Sequence, residues 1–283
     1  MAKIMYAKEL VEQKIDQLKY QVQLLTKKPK LKVILVGQNR SSLAYIANKE
    51  RKAKLVGADF ELIQLEETIN EEDFLQSIEN HVNDESCTGL IIQLPLPSQL
   101  HHLDLTNLIP AEKDIDGFSW ENIKELYYRR EDELNLIPCT PKGIVDLLRF
   151  FNISIESKKV VIVGRSFIVG KPLSLLMEGL NATVTICHSK TIDLKEQTKK
   201  ADILISAMGQ PRFITKDFLS DNKDQVLVDV GITSVENEWQ GDMDFDSCKD
   251  HCAYITPVPG GIGPMTVISL IDNLIIAAKR QGY

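Results

Sequence analysis

The chain has 283 residues, 43% of them hydrophobic, enough for a sizeable core in one large or two medium domains. Its 33 basic residues against 40 acidic ones give a formal charge of −7, which argues against nucleic acid as a default partner, since phosphate neutralisation needs clustered Lys and Arg. Five scattered cysteines, an odd number, fit a reducing, cytoplasmic compartment.

The opening "MAKIMYAKELVEQKIDQL" lacks an apolar signal core and reads as an amphipathic helix. No apolar stretch approaches the ~20 residues of a membrane span. Beyond it, strands and helices alternate. The predicted strands are 31–37, 58–65 and 89–97 in the first half, then 158–164, 182–189, 201–209, 225–232 and 252–261. Several are near-continuous apolar runs, as in parallel strands buried on both faces. Helices are predicted over 42–56, 71–82, 141–151, 170–180, 193–200 and 265–280, with Pro264 in the first turn of the last. The fold class is therefore α/β twice over, the second half a Rossmann-like doubly wound parallel sheet. The boundary falls near "LIPCTPKG" (136–143), where two prolines interrupt the pattern.

In the first half, Ser41 or Ser42 is a candidate N-cap. Tyr45 and Lys49 stand at i and i+4, on one helix face. A lysine in a dry cleft can be tuned towards neutral pH and serve as acid or base. Arg51, Lys52 and Lys54 share the helix, however, and from spacing alone a solvated basic face is the better reading. Gln93 ends an apolar strand ahead of Pro95 and Pro97, and either satisfies local backbone or faces a ligand. Asp114 and Asp116 precede Gly117; they make a turn or offer a carboxylate to a ring N–H.

In the second half, "VVIVGRSFIVGKP" (160–172) departs from G-x-G-x-x-G, with Ser166 in the middle glycine's place and Gly170 one residue late. Serine is small enough for backbone N–H groups to approach a pyrophosphate at a helix start. No acid follows at the ribose position; "CHSKT" (187–191) offers His188, Ser189 and Lys190 instead. With Arg165 these suit a 2′-phosphate, so the cofactor reading is NADP rather than NAD. "CKDHC" (248–252) has loose spacing and no second ligand pair, and the reading is ordinary cysteines with no metal. "ITPVPGGIGPMT" (255–266) is a rigid loop leading into the last helix.

The segments "SLAYIANKERKAKLVG", "IIQLPLP", "KDIDGF", "PCTPKGI", "VIVGRSFIVGKP", "CHSKT", "DVGI" and "YITPVPGGIGPMTV" occur in one order across nearly the whole chain. Together they resemble the bifunctional methylenetetrahydrofolate dehydrogenase/methenyltetrahydrofolate cyclohydrolase family. The resemblance implies two domains with a cleft between them. Residues 1–140 plus 265–283 would form the folate-binding, catalytic domain, with the C-terminal helix returning to it, and residues 141–264 the NADP-binding domain. It implies oxidation of 5,10-methylenetetrahydrofolate by NADP, then hydrolysis of the methenyl cation to 10-formyltetrahydrofolate, in a homodimer; the charge and the lack of a long apolar stretch add the expectation of neither nucleic acid nor membrane as partner. Lys49 matches the family's catalytic lysine, Tyr45 the tyrosine against the folate, Gln93 the glutamine that tunes the lysine, and Asp116 the aspartate that holds the pterin. Pro259, Gly260 and Gly263 match the loop over the substrate; Gly164, Arg165, Ser166, Ser189 and Ile232 match cofactor positions. The chain departs from the family at "GQNRSS" (37–42) and "SWENIKEL" (119–126), beside the implied cleft. A dehydrogenase for another small substrate, such as a shikimate-type ring, would account for the second half but not for Tyr45, Lys49, Gln93 and Asp116 together.

Overall fold

The structure, a computed structural model, describes residues 2–128, 135–236 and 238–283. Eleven strands and nine α-helices are described. In chain order they are β1 (Lys3–Ile4), α1 (Lys8–Gln23), β2 (Lys30–Val36), α2 (Arg40–Val56), β3 (Asp59–Leu65), α3 (Glu71–Val82), β4 (Gly89–Ile92), α4 (Trp120–Tyr127) and α5 (Cys139–Phe150). There follow β5 (Lys159–Val163), α6 (Gly170–Gly179), β6 (Thr183–Cys187), α7 (Leu194–Lys199), β7 (Ile203–Ser206), β8 (Val226–Asp229), β9 (Thr233–Val235), β10 (Glu238–Gln240), α8 (Phe245–Cys248), β11 (Tyr254–Ile255) and α9 (Ile262–Arg280).

The chain divides into two units, one of Glu12–Cys139 with Val267–Tyr283, the other of Met1–Val11 with Thr140–Thr266. The first unit holds a parallel sheet of order β3-β2-β4. Central β2 is buried along almost its whole length, whereas β3 is an edge strand that exposes Leu62 and Gln64. The last helix does return to this unit from Val267 onward. It is long and apolar enough to suggest a membrane span by composition, but most of it is buried as a core helix. Its Asn273 donates to the carbonyls of Ile115 and Ile137.

Two local readings change, and the departing segment gains a structure. The N-cap of α2 is Asn39, whose Oδ1 accepts from Ser41 N and Ser42 N, not a serine. The departing segment 119–126 forms α4, capped by Ser119 Oγ accepting from Asn122 N at 3.3 Å. The opening residues are not helical from the start. β1 adds to the second unit's sheet beside β11, Lys3 against Tyr254, and Met5 and Ala7 are fully buried. That pairing puts the first eleven residues with the second unit, where the expected division put them with the first.

In the second unit six parallel strands run in the order β1-β11-β8-β7-β5-β6. The chain goes from β5 outward to β6, then back across to β7 on the other side of β5. The point where the order reverses lies between β5 and β7, and open α/β sheets bind ligands beyond the carboxyl ends of strands at such a point. Cys248 and Cys252 are packing thiols, donating to Ile214 O and Cys248 O, and burial pushes both up to about 12.

One buried charge belongs to the fold of the first unit. Lys32, 1% exposed in the middle of β2, donates to Asp84 Oδ2 at 2.5 Å and to His81 Nδ1 at 3.2 Å, and lies 3.5 Å from Glu61. Removing one partner of a buried pair leaves the other charge uncompensated. Asp84 is partly exposed, and Glu61 stays close, so solvent and the second carboxylate soften the loss. Asp84→Ala is expected to lower the unfolding free energy by about 1–2 kcal/mol in urea titration, with less loss for Asp84→Asn.

Candidate active site

Helix α2 buries Ser42, Ile46, Lys49, Ala53 and Val56, a stripe at i, i+4, i+7, i+11 and i+14. Lys49 is on that stripe and only 7% exposed, so it is not part of a solvated basic face; Arg51 and Lys54 are. Its Nζ donates to Gln93 Oε1 at 2.9 Å and lies 5.5 Å from the centre of the Tyr45 ring. Gln93 follows β4 and extends its pairing with β2, Gln93 N donating to Ile34 O. Its Nε2 donates to Leu94 O at 2.7 Å, which turns the oxygen to the lysine. Gln93 thus satisfies local backbone, the first of the two roles the sequence left open, and holds Lys49 as well.

The two aspartates separate into different tasks. Asp114 is buried and accepts from Gly117 N, Ser119 N and Asn122 Nδ2, so it is the carboxylate of the turn. Asp116 is half-buried, with Cys139 Sγ 3.9 Å from its Oδ1. Burial pushes its carboxyl up to about 6, against the pull of Lys49, with Asp114 adding to the rise. Burial lowers the Lys49 ammonium, against the opposing field of Asp116, and raises the Tyr45 phenol. A lysine, a tyrosine, a glutamine and an aspartate from three separate stretches are therefore brought together in one unit. Cys139, given no role from sequence, joins them. Its signal was its place in "PCTPKGI", two residues before an expected helix.

The second unit carries the remaining candidates. Gly164 follows β5 at φ +134°, and a Cβ there would overlap the carbonyl of Ala207, which follows β7. A Cβ on Gly170 would overlap the carbonyl of Gly164. These are close backbone approaches at the point where the strand order reverses, a cradle that fits a dinucleotide's pyrophosphate. Ser166 Oγ accepts from Val169 N at 3.2 Å and Gly170 N at 3.4 Å, leaving its own proton to donate. Val163 pairs with Cys187 between β5 and β6, so exposed Arg165 and exposed Ser189 both stand two residues beyond paired strand ends. The turn holding Ser189 is closed by His188 N donating to Thr191 Oγ1 and Lys190 N donating to His188 Nδ1.

Asp242 accepts from Ser206 Oγ, Met208 N and Gln210 N at the end of β7. Asp229 accepts from Gly231 N, Asp242 N and Met243 N at the end of β8, and burial pushes it up to about 7. Ile232 follows it, 48% exposed. Pro259, Gly260 and Gly263 lie on the loop from β11 into α9; Gly260, at φ +110°, accepts from Ala7 N at 2.9 Å.

These features define an α/β enzyme of the dinucleotide-dependent class that also carries a lysine suited to acid–base work. Residues 5–116 match the family model described as the tetrahydrofolate dehydrogenase/cyclohydrolase catalytic domain, and residues 138–282 the NAD(P)-binding domain of the same family. The Bifunctional protein FolD of Staphylococcus carnosus is 42% identical over 285 residues, covering 99% of this chain and 98% of that one. The bifunctional enzyme FolD of Campylobacter jejuni superposes with a TM-score of 0.93 at 35% identity, covering 99% of this chain and 100% of that one. The Trypanosoma brucei methylenetetrahydrofolate dehydrogenase-cyclohydrolase, solved with NADP cofactor and inhibitor, gives 0.91 at 30%, covering 99% and 98%. The chain belongs to the tetrahydrofolate dehydrogenase/cyclohydrolase family.

Asp116 yields a stability test. A carboxyl whose folded pKa lies above its unfolded value near 4 binds its proton more tightly when folded. Its contribution is therefore favourable at low pH and lost as pH rises from about 4 to about 6. Asp116→Asn is expected to raise stability at pH 7.5 by on the order of 2 kcal/mol, a gain that shrinks towards pH 4 in paired thermal melts.

Proposed function

We infer that the protein oxidises 5,10-methylenetetrahydrofolate with NADP and hydrolyses the resulting 5,10-methenyltetrahydrofolate to 10-formyltetrahydrofolate. Family membership along the whole chain supports the pair of reactions. The observation that carries the hydrolytic half is Lys49, buried and donating to a neutral acceptor at 2.9 Å. Burial lowers its affinity for the proton, against the opposing field of Asp116, which makes the amine a readier proton acceptor than an exposed lysine. In this reading Lys49 takes a proton from the water that adds to the methenyl carbon and returns one to the ring nitrogen as the bridge opens. Gln93 aims the amine, Tyr45 offers a ring face to the flat substrate, and Asp116 accepts from the pterin N–H groups.

NADP, when bound, supplies the hydride acceptor. Gly164, Ser166 and Gly170 would hold its pyrophosphate, Arg165 and Ser189 its 2′-phosphate, and Ile232 its apolar side. Pro259, Gly260 and Gly263 are proposed to lie over the folate. The unit with Lys49 would be the catalytic, folate-binding part and the six-stranded unit the NADP-binding part. Five free, buried cysteines support a reducing, cytoplasmic setting. The homodimer implied by the resemblance belongs to the same proposal.

The test mixes protein, methylenetetrahydrofolate and NADP and follows reduced cofactor and methenyl absorbance; no reduced cofactor would overturn the dehydrogenase half. Lys49→Ala is expected to cut methenyl hydrolysis by about 10²–10⁴-fold while NADP affinity, read by fluorescence titration, persists. A Lys49→Ala protein that still hydrolyses at the wild-type rate would show the role misassigned. Arg165→Ala is expected to weaken NADP about tenfold or more while NAD binding changes little; equal weakening of both would contradict a 2′-phosphate role.

A further inference from the structure

Asn273 is fully buried in the middle of α9, in the apolar run "VISLIDNLIIAA". Burying an amide among apolar side chains is costly unless its polar atoms are bonded. Its Nδ2 donates to Ile115 O at 2.9 Å and to Ile137 O at 2.8 Å, so both amine hydrogens are used on two carbonyls from stretches far apart in sequence. It also lies 3.7 Å from Cys139 Sγ, which itself donates to Ile115 O at 3.3 Å. Ile115 immediately precedes Asp116. On the other side, Gly117 is at φ +78°, where a Cβ would come within 2.8 Å of Leu136 O and Ile137 C and 2.7 Å of Pro138 N. The backbone on both sides of Asp116 is thus pressed onto residues 136–139, and the carboxamide of Asn273 ties the two stretches together.

We propose that Asn273 is a positioning residue for the folate reactions: it clamps the Ile115 and Ile137 carbonyls and thereby sets the place of the Asp116 carboxylate. The proposal rests on the folate role given to Asp116 above. An aspartate at 273 would offer only acceptors to two carbonyls, a leucine nothing, and a serine a single donor. Misplacement of a binding group by about 1 Å is worth up to about a hundredfold.

The test uses the whole protein as wild type, Asn273→Ala and Asn273→Ser. It measures KM for methylenetetrahydrofolate, kcat, NADP affinity by fluorescence and the thermal midpoint. Asn273→Ala is expected to raise the folate KM about tenfold or more with NADP affinity within about twofold, and Asn273→Ser to fall between it and wild type. If Asn273→Ala does not fold, Asn273→Ser alone must show a raised folate KM with unchanged NADP affinity. A folding variant with wild-type folate KM overturns the clamp. So does loss of folate affinity, NADP affinity and thermal midpoint together, the mark of a merely structural role. An inactive wild type overturns the folate reading itself, whereas an active wild type with unaffected variants overturns the clamp alone.

Discussion

The hydrogen bond from Lys49 Nζ to Gln93 Oε1 joins a helix to a strand end at a place largely closed to water. Its acceptor is neutral, and that sets the chemistry available. A carboxylate at position 93 would pair with the ammonium and hold its proton firmly. The glutamine orients the amine without doing so, and its own orientation is fixed because its Nε2 is committed to Leu94 O. The nearby negative charge comes from Asp116, whose burial keeps it only partly committed to the ionised form. Lysine and aspartate each ease the desolvation of the other, Asp116 favouring the ammonium and Lys49 the carboxylate. Opposed effects of burial and charge on two neighbouring groups are common where protons move to and from a substrate.

The other unit uses backbone rather than charge. The nearness of Gly164 to Ala207 closes the gap between β5 and β7 so tightly that no side chain fits. The strand ends beside it are held by two buried aspartates, each accepting from two or more backbone amides. Burial without a cation raises the cost of ionising Asp229, and the amide donors offset it. Such an edge is preorganised, as binding a long, flexible cofactor requires.

Much of this was legible in the sequence where the signal is local. The parallel strands β2, β5, β7 and β8 are apolar runs, and Pro264 marks the first turn of α9. Other features depend on distant residues. Lys49 looked like one cation among four because its stripe-mates Ser42 and Ala53 are small and weakly apolar. Asp114 and Asp116 are chemically alike, and only the donors of Ser119 and Asn122 tell them apart. β1 is two residues long and exists through its pairing with β11, some 250 positions away. The motif resemblance compares whole constellations rather than windows, and so names together Tyr45, Lys49, Gln93 and Asp116, which lie in one unit.

The unit that carries Lys49 is discontinuous, built from Glu12–Cys139 and Val267–Tyr283. A ribosome delivers its first portion early and its last only after the entire second unit has been made. Until α9 is released, the Ile115 and Ile137 carbonyls lack their donor, and β4 lacks Leu274, which packs beside Gly89. The nascent chain can therefore complete its six-stranded sheet before the stretches beside Asp116 gain their donor from α9. Loss of the last seventeen residues to a premature stop or a protease would remove the clamp while leaving Lys49, Gln93 and Asp116 in the chain. Helix α9 thus makes the tying of the stretches around Asp116 to residues 136–139 a late event in synthesis.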